Sequence, residues 1–121
     1  MNEKIAYLLN DQINKEFYSA YLYLDIANYY DDQNLDGYAN YYMIQAQEER
    51  DHALLFMKYM QNNGLKVTLE AIGKPDKAFD SILTPLQHGI SALFSTCLML
   101  ACFGFGLFCS ALFWRLNKIG C

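Results

Sequence analysis

No cysteine occurs before Cys97, and Cys97, Cys102, Cys109 and Cys121 include no CxxC pair. That spacing argues against a zinc ribbon or a redox dithiol and leaves the thiols as small apolar side chains. Basic residues are also few. Nine Lys and Arg stand against 13 Asp and Glu with no basic cluster, so phosphate is repelled and no nucleic-acid partner is expected. The opening Met1-Asn2-Glu3-Lys4 has no apolar h-region, which argues against a secretory leader and for a cytoplasmic chain. Glycine and proline are missing from Lys4 to Asp32, so nothing there interrupts a helix. No acid follows Asp80, and residues 90–121 carry only Arg115 and Lys118 as charges. An acidic first part is thus joined to something of different character. At 121 residues the length fits one domain with a core of its own.

In that first part, the stretch Gln45-Ala46-Gln47-Glu48-Glu49-Arg50-Asp51-His52 sets a carboxylate and an imidazole three residues apart on one helix face. Tyr38, Tyr42, Gln45, Phe56 and Met60 share this otherwise apolar stripe. A Glu and a His therefore point inward, where an unpaired carboxylate costs several kcal/mol unless a cation, hydrogen bond or metal meets it. The preceding segment repeats the pattern. Around Glu16 lie Ile5, Leu9, Gln12, Ala20, Tyr23, Ala27 and Tyr30, with Asp11, Asn14, Tyr18, Asp25 and Tyr29 on the opposite, wet or subunit-facing side.

The polar run Asp31-Asp32-Gln33-Asn34, followed by Asp36-Gly37, ends the first helix. A second helix is expected from Leu35 or Asp36 to Asn63, with Gly64 as its stop. So short a link between two long helices makes an antiparallel hairpin. Glu16, Glu49 and His52, all near mid-helix, then converge on one point, as a metal site in a helical bundle requires.

Residues 64–79 hold Gly73 and Pro75 and too few apolar residues for a core element. This is a long crossing loop, able to carry the chain the length of the bundle and start a third helix parallel to the second. That helix is expected to open near Ala78 to Ser81, but Pro85, which fits a first turn and not a helix interior, leaves its start open by several residues. From Ile90 to Trp114 the chain has 25 uncharged residues, 19 of them hydrophobic, apolar on every face and long enough to span a bilayer.

The segments NKEFYSAYLYL (14–24), AQEERDHALLFMKYMQNNG (46–64) and the loop ending in AFDSILTPLQH (78–88) resemble the bacterial non-haem ferritins over residues 1–88. The resemblance implies an all-α fold, the antiparallel helical hairpin of a ferritin-like four-helix bundle, incomplete here because the third helix is altered and the fourth is missing. It implies iron binding and storage, with Fe(II) oxidised by oxygen or hydrogen peroxide and the ferric mineral (Fe3+) held inside a 24-subunit shell. Carried onto matching positions, Glu16 is a terminal ligand of one iron, Glu49 bridges two, His52 completes the first shell, and Tyr23 is an electron or hydrogen-bond donor beside the centre. Gln45 matches no ligand of the family. Hard carboxylates with one imidazole suit iron.

The pattern departs after His88. A family glutamate should follow that histidine, but Gly89 stands there, so the second iron lacks its own carboxylates and ferroxidase activity is expected to be impaired. Residues 89–121 read either as a tail translated in a shifted frame or as a membrane segment grafted onto a ferritin hairpin. These options carry two alternative functions, a non-functional remnant and a membrane-anchored metal-binding hairpin. His88 and the cysteines read as structural, and Glu48 and Asp51 as solvated charges.

Overall fold

A run of good helix formers without Gly or Pro behaves as expected. In the computed structural model, which describes residues 3–76 and 78–89, α1 runs Glu3–Asp32 and α2 runs Asp36–Asn62. Residues 83–89 form a third, short helical segment, and no strand occurs among the described residues, so the chain is all-α. The chain divides into two compact units, Met1–Ile82 and Leu83–Cys121.

Both long helices stop in the same way. At the end of α1, Leu35 N–H donates to Tyr30 O at 2.9 Å and Asn34 N–H to Asp31 O at 3.0 Å, with Asn34 left-handed at φ 58°. At the end of α2, Leu65 N–H donates to Met60 O at 2.9 Å and Gly64 N–H to Gln61 O at 3.1 Å, with Gly64 at φ 69°. These are Schellman closures, which satisfy the last carbonyls and need a residue that tolerates positive φ. The first closure leaves three residues, 33–35, before α2, and the chain reverses. Tyr23 packs on Tyr42 and Tyr30 on Tyr38, at 5.7 and 5.2 Å between ring centroids, so residue numbers run in opposite directions and the pair is antiparallel.

The crossing loop lies along α1. Asn10 clamps its start, accepting from Thr68 N–H at 2.9 Å and donating to Lys66 O at 3.3 Å. Near its end Phe79 packs on Tyr29 at 5.2 Å, and Tyr30 Oη donates to Ile82 O at 2.7 Å. The loop thus travels from residue 10 of α1 to residue 30, about 30 Å at 1.5 Å per residue. On the side expected to be wet or subunit-facing, the loop covers part of the surface: Tyr18 passes close to Gly73, Asn14 shares a cavity wall with Thr68 and Leu69, and Tyr29 meets Phe79, while Asp11 pairs with Lys15 and keeps 39% of its side chain exposed. The buried set also includes Ile13, Leu22 and Ile26, while Ile5 and Tyr38, at 40% and 44% exposure, lie outside it.

The third helical segment opens at residue 83, later than the expected Ala78 to Ser81. Proline explains the delay. From residue 78, Pro85 would fall in the helix interior and forfeit a hydrogen bond, whereas from 83 it sits in the first turn, where its missing N–H costs nothing. Among the described residues no helix is long and apolar enough to cross a membrane. The apolar stretch 90–114, and with it both readings of the tail, lies outside the described residues.

Candidate metal centre

Antiparallel pairing brings the middle of α1 to the middle of α2, and the three inward polar residues meet there. Glu16, Glu49 and His52 are buried, and each offers a donor atom within 4.8 Å of the other two. His52 Nδ1 lies 3.5 Å from Glu49 Oε2 and 3.8 Å from Glu16 Oε2. The three-residue spacing from Glu49 to His52 puts both on one face of α2, and Glu16 faces them from α1.

Around this cluster lie two glutamines from the same stripes. Gln12, one turn before Glu16, donates from Nε2 to Glu16 Oε1 at 2.6 Å. Gln45, one turn before Glu49, donates from Nε2 to Glu48 Oε2 at 3.3 Å. Among the described residues, Glu16 Oε2 and Gln45 Oε1 are buried without a hydrogen-bond partner. A buried carboxylate oxygen left so costs free energy that a bound cation would recover.

The charges in this dry site shape one another. Burial pushes the Glu16 carboxyl up, but its contacts with His52, Glu49 and Gln12 together carry it below the usual range. For Glu49 burial is again the largest influence; it prevails over the hydrogen bond with His52 and, with the contact and charge of Glu16 beside it, raises the carboxyl to about 8. Burial lowers His52, yet Glu16 and Glu49 more than reverse this and lift it to about 9. Two carboxyls and an imidazole therefore share protons at neutral pH, one carboxyl ionised and the other protonated. Tyr23, fully buried, is pushed up first by burial and then by the charge of Glu49, so it stays a neutral phenol. Its ring touches Tyr42, which continues through Tyr30 in a ladder of rings.

The cluster holds Glu16, Glu49 and His52 as the sequence pattern foretold, with Tyr23 buried beside them. Asp51 is exposed, paired with Arg50 at 3.4 Å. Glu48, expected on the solvated face, is half-buried and takes the Gln45 hydrogen bond. Sequence reasoning missed the bond from Gln12, although its signal was legible in a glutamine one turn from a glutamate on a buried stripe.

A long-helix hairpin with two glutamates and a histidine at its centre has the layout of one half of a carboxylate-bearing four-helix bundle. A ferritin-like domain profile matches residues 6–92. Bacterial non-heme ferritins of Staphylococcus saprophyticus and Staphylococcus haemolyticus are 36% and 34% identical over 91 residues, which is 75% of this chain and 54% and 55% of theirs. The open-pore ferritin crystal structure from the hyperthermophilic archaeon Archaeoglobus fulgidus superposes with a TM-score of 0.70 at 31% identity, covering 98% of this chain and 77% of that one. The chain belongs to the ferritin-like family. It spans about half the length of the curated relatives it matches.

Proposed function

We propose that this chain binds iron, with Glu16, Glu49 and His52 as its ligands, in the service of ferritin-type iron storage. The observation carrying this reading is Glu16 Oε2, buried without a hydrogen-bond partner in a cluster that offers two carboxylates and one imidazole within 4.8 Å. Hard oxygen donors with one nitrogen match Fe(II) and hold Fe(III) more tightly, as an oxidation site needs. The family and the non-heme ferritin relatives supply the physiological context.

Within that reading, the two helices fix the ligands on rigid elements and exclude water. The Glu49 and His52 protons leave as Fe(II) substrate enters, because ligands must be deprotonated to bind. Tyr23, a neutral phenol, donates a hydrogen bond or an electron to the centre in this reading. Gly89 stands where the resemblance implies a glutamate for a second iron, so in this reading Glu16, Glu49 and His52 hold one iron and oxidation by oxygen or peroxide is slow. The shell of many subunits belongs to the same proposal. Anaerobic Fe(II) titration tests the assignment. Binding stoichiometric with the chain is expected, and Glu49→Ala abolishes it while leaving helicity nearly intact. Unchanged binding in the variant removes the site.

A further inference from the structure

Gln12 and Glu16 lie one turn apart on α1, at 4% and 0% exposure, joined by a 2.6 Å bond from Nε2 to Oε1. The amide thus sits in close contact with one oxygen of an ionised carboxylate, a pairing stronger than one between neutral groups. The bond divides the two oxygens of Glu16. Oε1 is occupied by the amide, and Oε2 has no hydrogen-bond partner among the described residues and lies 3.8 Å from His52 Nδ1. The last torsion of a glutamate is soft and roughly two-fold, so without a fixed donor its carboxylate can turn and offer both oxygens.

We propose that Gln12 is a positioning residue that makes Glu16 a one-oxygen ligand and thereby sets which cations the centre accepts. The inference rests on the metal-binding reading above and adds to it a selection rule. A carboxylate pinned through one oxygen suits small cations that take few protein donors. It disfavours Ca2+, which wants six to eight oxygens and commonly chelates both oxygens of a carboxylate. Gln12 touches no metal in this scheme and acts entirely through Glu16.

The test uses the full chain with Co(II) and Ca(II) as probes, each titrated alone, and the visible absorption of bound Co(II) as the signature of its ligand geometry. Gln12→Met keeps the side-chain volume and removes the donor. Gln12→Asn keeps the amide but is about one methylene too short to reach, and reads the same point if the first variant fails to fold. Wild type is expected to bind Co(II) well and Ca(II) poorly. Each folded variant is expected to bind Co(II) about 10- to 100-fold more weakly, the usual loss when a group that orients a metal ligand is removed. The Co(II) band shifts, the Co(II) preference over Ca(II) narrows, and the metal-free helicity is unchanged. Equal losses for both ions, or an unshifted band at unchanged affinity, overturn the proposal while leaving the metal site intact. A wild-type chain that binds no Co(II) overturns the metal-binding reading itself and this inference with it.

Discussion

At the residue scale the centre is a proton store as well as a set of donors. Glu49 and His52 bind protons more tightly in the fold, at about 8 and 9 against ordinary values of 4.5 and 6.5. Their contribution to stability is fully present below those ordinary values and is lost as pH rises through 8 and 9. Glu16 works the other way, contributing above its ordinary 4.5 and losing its share as pH falls through its lowered value. The metal-free chain is therefore expected to melt at a higher temperature at pH 6 than at pH 9. Glu49→Gln, which fixes the neutral form, is expected to flatten part of that slope and to match or exceed wild-type Tm at pH 8 without metal. A Tm that climbs steadily from pH 6 to pH 9 in the metal-free protein contradicts the charge arrangement. Glu16, Glu49 and His52 were legible in the sequence because helical periodicity alone turns them inward. The proton sharing was not, since it depends on distances between side chains 33 and 36 positions apart, fixed only when the hairpin closes.

At the element scale the helix ends carry the signals that fix the hairpin. Asn34 and Gly64 occupy the same left-handed position in two Schellman closures, one suited to it and one less so. Gly64→Ala adds a Cβ that meets nothing within 4 Å, so its expected cost of about 1 kcal/mol comes from the backbone alone. Asn34→Gly relieves φ 58° and is expected to be neutral or stabilising by a few tenths of a kcal/mol. Thermal unfolding checks both, and a destabilised Asn34→Gly beside a neutral Gly64→Ala contradicts the account. Turn chemistry made these ends readable from the sequence to within a residue. The course of the crossing loop was readable only in outline, because Asn10 looks like any half-polar helix residue until Thr68 is brought to it. For the same reason the loop's cover over Asn14, Tyr18 and Tyr29 was not readable.

At the scale of the whole molecule, a ferritin-like hairpin brings Glu16, Glu49 and His52 together near the midpoint of two long helices, away from their ends. Their donor atoms are buried and lie within 4.8 Å of one another, close enough to share one cation. The chain matches its curated relatives over about half of their length, and the ferritin-like match over residues 6–92 contains this cluster. Anomalous diffraction at the iron edge, from crystals of the full chain soaked anaerobically with Fe(II), addresses the central claim most directly. The account predicts a single strong peak bounded by Glu16 Oε2, the Glu49 carboxylate and His52 Nδ1. Iron bound elsewhere on the chain with nothing at this cluster contradicts it.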